Sequence, residues 1–217
     1  MELQLPLLAI FAYFLGSIPI GKIISNRVAG LDITGIGSRN IGATNVSRVV
    51  GIKWGIVTLL LDMCKGLIPI LILRSVSNDQ AAIFLWTALV GIASIAGHQF
   101  SVFLNFKGGK GVATALGVYI AVSPVAVLVA LAVFISVVLL SNFISLGSIT
   151  AALCLPIVIY LLGKPCPLVI ASIAIAAMIL ARHHSNINRL LKGKEAKWRN
   201  GRGQERSSSN LSSSSSE

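Results

Sequence analysis

Val112-Ala113-Thr114-Ala115-Leu116-Gly117-Val118-Tyr119-Ile120-Ala121-Val122-Ser123 is an apolar run halted by Pro124, and whether it crosses a bilayer decides the fold. At about 1.5 Å per residue it is short for a hydrocarbon core of about 30 Å, unless it begins near Gly108 in a thinned region. The runs on either side are plainer. They place helices at about 3–24, 52–73, 81–96, 124–140, 146–162 and 167–181. Charge settles the doubtful one. With seven crossings, Lys22, Arg27, Arg39, Arg48, Lys53, Lys107, Lys110 and the eight basic residues from Arg182 to Arg206 share one side. That is fifteen of the 18 lysines and arginines, against Arg74 and Lys164 opposite and Lys65 within a helix. If the run dipped in and returned, the eight tail charges would face outward, against the positive-inside rule. The expected fold is therefore all-α, a polytopic membrane protein of seven transmembrane helices with the N-terminus outside and the C-terminus cytoplasmic. One membrane domain is expected over 1–200. Residues 201–217 form a basic, serine-rich tail of low complexity, disordered or added for expression.

Composition agrees with this reading. The chain is 55% hydrophobic and 12% charged, and the alternation of a membrane β-barrel is absent. A net charge of +11 would suit nucleic acid, but the basic residues lack the repeated interleaving with aromatic ones that such a surface uses. The charge instead suits a cytoplasmic membrane face lined with anionic lipid. Cys64, Cys154 and Cys166 have no metal or redox spacing. Glu2 precedes the first apolar run and Lys22 follows it, the reverse of a signal peptide.

The topology puts three polar segments on one face. The first is Gly35-Ile36-Gly37-Ser38-Arg39-Asn40-Ile41-Gly42-Ala43-Thr44-Asn45-Val46-Ser47-Arg48, in which glycines, hydroxyls, amides and arginines are all anion donors or permit them. It lacks the Gly-Lys-Ser/Thr ending of a Walker loop. The second is Lys107-Gly108-Gly109-Lys110-Gly111, where backbone N–H groups at a helix start would meet an anion. The third is Arg182-His183-His184, with Asn186 three residues beyond His183 and on its face if the helix continues. His98 ends the third helix. Asp62 and Lys65 lie inside the second, spaced either to neutralise each other or to mark function. No histidine or cysteine spacing suggests zinc, and no carboxylate cluster suggests a two-metal site. The fifth residue after each histidine is Phe103, Asn188 or Arg189, so the His-four residues-Asp motif of the common membrane glycerolipid acyltransferases is missing. A transporter for an anionic metabolite would also suit many helices and basic groups. No inverted repeat is evident, however, and the charges gather at one interface rather than at mid-membrane.

Several segments in order carry a family resemblance. They are Gly16-Ser17-Ile18-Pro19-Ile20-Gly21, Gly37-Ser38-Arg39-Asn40, Gly42-Ala43-Thr44-Asn45 with Arg48, and Asp62 with Lys65-Gly66. Then come Gly97-His98, Phe103, the 106–114 run, Arg182-His183, Asn186-Ile187-Asn188-Arg189-Leu190 and Gly193-Lys194-Glu195. The chain resembles the bacterial PlsY-type acyl-phosphate:glycerol-3-phosphate acyltransferases over about 3–195. The resemblance implies a seven-helix protein of the cytoplasmic (inner) membrane with its site facing the cytoplasm. Its partners would be acyl phosphate, glycerol 3-phosphate and membrane lipid, with no nucleic acid. It would use no metal and no cofactor, and no acyl-CoA. Lysophosphatidic acid and phosphate would be the products, in the first step of phospholipid synthesis.

On that resemblance, Lys110 and the Gly108 and Gly109 amides are expected to hold the acyl phosphate. Arg48, Asn45 and Lys107, with Asn40 and Thr44 in the same polar loop, are expected to hold glycerol phosphate. Ser38 and Asn186 would orient the carbonyl and hydroxyl, and His183 would brace or deprotonate. The sequence leaves open which of His183 and His184 acts, although the spacing to Asn186 favours His183.

Overall fold

Pro19 divides the first apolar run. Its ring removes an N–H and biases residue 18 away from helix, so the run becomes α1 (Gln4–Ser17) and α2 (Ile20–Ala29). The carbonyls freed at the break find donors elsewhere. The Ser101 hydroxyl donates to Ser17 O at 2.5 Å, and the Lys65 ammonium donates to Ile18 O. In this computed structural model, which describes residues 4–77, 79 and 82–198, the chain continues through α3 (Ala43–Val49), α4 (Ile52–Val76), α5 (Ala82–Gln99) and a 3-10 turn (Val102–Leu104). It then forms α6 (Val112–Val122), α7 (Pro124–Ser141), α8 (Ile144–Leu161), α9 (Cys166–Arg182) and α10 (His184–Leu191). No strand occurs among the described residues, and the 201–217 tail lies outside them.

Among the described residues, five stretches are long and apolar enough to cross a membrane: Gln4–Ala29, Ile52–Val76, Ala82–Leu104, Pro124–Ser141 and Ile144–Leu161. A sixth is α9 taken with α10, which are bent by 58° to each other. The 112–123 run is the exception. Its 11 residues amount to about 16 Å of helix, roughly half of a bilayer core. Gly111, at φ 83°, starts α6 abruptly, and Pro124 stops it by disfavouring helical geometry at Ser123. Length therefore supports five or six spans rather than the seven expected.

Two pairs of glycines bring backbones into contact. Between α1 and α5, a Cβ on Gly16 would lie 2.2 Å from Ser94 O, and one on Gly97 would lie 2.0 Å from Tyr13 O. Between α4 and α6, Gly66 meets Thr114 O at 2.1 Å and Gly117 meets Met63 O at 1.9 Å by the same measure. Such close approach replaces the hydrophobic drive that helices lack in lipid. Gly117→Val should push α6 off α4 at a cost of about 1–3 kcal/mol or more. The check is the thermal midpoint in detergent, and an unchanged midpoint would show that the contact is not needed.

Inside this frame sits a buried polar cluster. Lys65 Nζ pairs with Asp62 Oδ1 at 2.6 Å, and His98 Nδ1 lies 3.7 Å from the same oxygen. All three side chains are buried. The pair both neutralises itself and pins the α1–α2 break through Ile18 O, which is a structural role.

Candidate active site

The glycine-rich 35–48 stretch folds around one side chain. Asn45 is 1% exposed. Its Nδ2 donates to Ile36 O at 3.0 Å and Asn40 O at 2.9 Å. Its Oδ1 accepts from Ser38 N–H at 2.9 Å. Gly37 turns the chain at φ 60° beside it, where a Cβ would meet Asn45 Oδ1 at 2.4 Å, so both the conformation and the space require glycine. Asn40 is used locally too, its Oδ1 accepting from Gly42 N–H at 2.8 Å. Ser38 is exposed on this loop, and among the described residues no hydrogen bond joins its hydroxyl to a histidine. The stretch ends as α3, which carries Thr44 and Arg48 toward a groove.

The Lys107–Lys110 segment differs from its expected use. Gly108 N–H donates to Gln99 O at 3.0 Å and Gly109 N–H to His98 O at 2.9 Å. Arg182 grips the other side, with Nε to Gly109 O at 3.1 Å and Nη2 to Gly108 O at 2.5 Å. Its guanidinium also lies over Phe100 at 5.7 Å. The two amides offered to an anion by the sequence are thus consumed in docking the loop on the end of α5. What remains is the first turn of α6, where the N–H groups of Val112, Ala113 and Thr114 have no intrahelical acceptor. Lys107 is exposed and is not among the groove-lining residues.

Lys110 is half-buried beside this turn. Its ammonium is held down to about 8, first by burial and further by Arg189 and Arg48, against the opposing pull of Glu195. Those influences come from α3, from α10 and from the segment after α10. Arg182 joins the second and third segments directly through Gly108 O and Gly109 O, and the Arg48 charge of the first reaches Lys110.

His183 marks the bend between α9 and α10 and is 1% exposed. Its Nδ1 lies 2.8 Å from Ile179 O. A carbonyl can only accept, so Nδ1 carries the proton and Nε2 is the free nitrogen. His184 is exposed and spends Nδ1 on Ala181 O at 3.0 Å. Asn186 is buried; its Nδ2 donates to Glu195 Oε1 at 2.6 Å, while its Oδ1 has no hydrogen-bond partner among the described residues. Glu195 also accepts from Ser145 Oγ at 2.6 Å and from Arg189 Nε at 2.7 Å. Burial raises its carboxyl pKa, but the bonds from Ser145, Asn186 and Arg189 outweigh that and leave it lowered. The sequence assigns no role to Glu195, Ser145 or Arg182, although Arg182 and Glu195 both stand in the motifs that carry the family resemblance.

A groove of about 930 Å³ lies between α4, α6, α7 and α8, and Ser38, Lys110, His183, Asn186 and Glu195 are not among its lining residues. Thr44, Ser47, Arg48 and Trp198 line its polar end, and mainly aliphatic side chains line the rest. It falls in the size range of a ligand site.

Residues 6–193 match the family described as glycerol-3-phosphate acyltransferase. A protein of that description from Trichlorobacter lovleyi is 50% identical over 188 residues, covering 87% of this chain and 94% of the relative. One from Geobacter sulfurreducens is 46% identical over 193 residues, with 89% and 97% covered. Among solved structures, the glycerol 3-phosphate form of PlsY (YgiH), an integral membrane glycerol 3-phosphate acyltransferase, superposes with a TM-score of 0.83 at 43% identity, covering 89% of this chain and 95% of that one. Its lysophosphatidic acid form gives a TM-score of 0.80 at 42% identity, with the same coverage.

Proposed function

This chain belongs to the glycerol-3-phosphate acyltransferase family, and from that premise we propose that its donor is an acyl phosphate and that the cluster around Lys110 is where transfer occurs. It moves a fatty acyl group to the 1-hydroxyl of glycerol 3-phosphate and so makes lysophosphatidic acid. The observation that carries the reading is the long apolar groove opening, at its polar end, on Arg48 and the first turn of α6. An acyl chain needs the first and a phosphate needs the second.

In this reading the donor phosphate sits against Lys110 and the Val112–Thr114 amides, in place of the Gly108 and Gly109 amides. Arg48 and Thr44 receive glycerol phosphate. Ser38, on the exposed loop beside them, orients a reacting oxygen. Asn45 and Asn40 build the loop rather than touch substrate, and Arg182 holds Gly108 and Gly109 so that Lys110 is correctly placed. Asn186, held through Nδ2, directs Oδ1 at the attacking hydroxyl, and His183 braces the centre through Nε2.

The glycerol hydroxyl oxygen bonds to the acyl carbon, and the bond from that carbon to the phosphate oxygen breaks. Glu195 is engaged by three donors and Asp62 by Lys65, which leaves neither as a base. The departing phosphate keeps the electron pair and takes the hydroxyl proton. The mixed anhydride is already activated, so positioning and charge stabilisation suffice without a covalent enzyme intermediate.

The positive-inside count supports seven crossings, α6 included, with the N-terminus outside and this face in the cytoplasm of a bacterial inner membrane. The test uses purified protein in detergent with radiolabelled glycerol 3-phosphate. Palmitoyl phosphate should yield lysophosphatidic acid and palmitoyl-CoA should not. Equal product from the thioester would overturn the donor assignment.

A further inference from the structure

His98, buried in the last turn of α5, meets the Gly108–Lys110 loop with both its backbone and its ring. Its carbonyl accepts from Gly109 N–H at 2.9 Å. A Cβ on Gly109 would lie 2.2 Å from His98 Nε2, 3.0 Å from Cδ2 and 3.1 Å from Cε1. The imidazole therefore points its Nε2 edge at Gly109. The Gly109 backbone lies outside the left-handed region, so its conformation admits alanine and the ring is what excludes a side chain. Gly108 differs. Its Cβ would meet His98 O at 2.0 Å and Gln99 C at 2.9 Å, backbone atoms that no change of side chain removes.

The ring is backed by two further helices. Asp62 Oδ1 on α4 lies 3.7 Å from His98 Nδ1, and that carboxylate is paired with Lys65 at 2.6 Å. The Lys65 ammonium in turn donates to Ile18 O at the α1–α2 break. On α1, a Cβ on Gly16 would lie 3.3 Å from His98 N, so the histidine backbone is confined as well. The rest of the loop is held by Arg182 at Gly108 O and Gly109 O, and by the buried Gln99 amide, which donates to Lys110 O at 2.8 Å.

We propose that His98 is a positioning residue for acyl transfer: its carbonyl and its ring together fix Gly109, and through it the Lys110 ammonium one residue on. The inference rests on the reading that Lys110 meets the donor phosphate. Glycines leave a loop many conformations, and a ring that leaves room for a hydrogen alone removes most of them. The buried Asp62–Lys65 pair is the footing of that ring. Its place between the α1–α2 break and the loop gives an ion pair distant from substrate a part in placing the phosphate site.

The experiment is a double-variant cycle in detergent with palmitoyl phosphate and glycerol 3-phosphate, reading kcat/KM and its pH dependence. Gly109→Ala should lower kcat/KM by about a hundredfold, because the new methyl pushes the loop off the ring. Adding His98→Ala should return about tenfold or more of that loss. His98→Asn serves as the second partner, too short to reach Gly109 but still polar beside Asp62. Gly108→Ala, blocked by backbone, should gain nothing from either. The alkaline limb near pH 8, set by the burial of Lys110 among Arg48, Arg189 and Glu195, should move upward in the His98 variants as the loosened loop admits water. A loss of folding alone would lower the thermal midpoint and leave the limb in place. Failure of both His98 variants to rescue Gly109→Ala, equal rescue of Gly108→Ala, or an unmoved limb would overturn the assignment. Lys110→Met in the same assay judges the donor-site reading separately. Full activity there would sink that reading, while the rescue pattern would still judge the contact of His98 with Gly109.

Discussion

Lys110→Met should lower kcat/KM for acyl phosphate by about a hundredfold to a thousandfold, the effect typical of removing one preorganised donor at a site of developing charge. The methionine keeps the length of the side chain and so isolates the ammonium. A pH profile gives the same group a second signature. Burial, together with Arg189 and Arg48, holds its pKa down to about 8. The cation that meets phosphate is therefore present below that value and is lost as pH rises through it. Because kcat/KM reports ionisations of the free enzyme, wild-type kcat/KM should fall above about pH 8. Lys110→Arg, which keeps its charge throughout, should lose that limb. A wild-type profile that stays flat through this range would remove Lys110 from phosphate binding.

Glu195→Ala should be nearly as severe, for a different reason. The carboxylate accepts from Ser145 at the start of α8 and from Asn186 and Arg189 on α10. Removing it leaves buried donors unpaired, each costing about 1–3 kcal/mol, and frees the Asn186 amide to rotate. A displacement of about 1 Å at a reacting group can cost a hundredfold in rate, so kcat should fall by about that factor, with a lowered thermal midpoint. Glu195→Gln keeps an oxygen for Ser145 and Asn186 but weakens the Arg189 pair, and should retain kcat within about tenfold while still losing stability. If the glutamine variant proved as inactive as the alanine one, the charge itself and not the aim of Asn186 would be what matters.

The polar segments were legible because their residue types are rare in so apolar a chain. Lys107, Lys110, Arg48, His183 and Asn186 stand out in any reading of it. Their roles were less legible. Gly108 and Gly109 look like an anion-binding loop until His98 O and Gln99 O are found already holding both amides. Asn45 looks like a ligand until its amide is found bonded to the loop on either side. Hydrogen-bond donors read from sequence are candidates only, because buried polar groups must be paired and the nearest carbonyl takes them first.

The sequence by itself determined the all-helical class and the family, while the helix expected over about 3–24 is divided at Pro19. Both follow from local chemistry: apolar length and motif order. Tertiary structure decided that α6 is only 11 residues long, that His183 rather than His184 is buried and that Glu195 gathers Ser145, Asn186 and Arg189. These depend on which backbones approach closely enough to touch, at Gly66 and Gly117 for α4 and α6. They also depend on which carbonyls and carboxylates lie within about 3 Å of a donor distant in sequence.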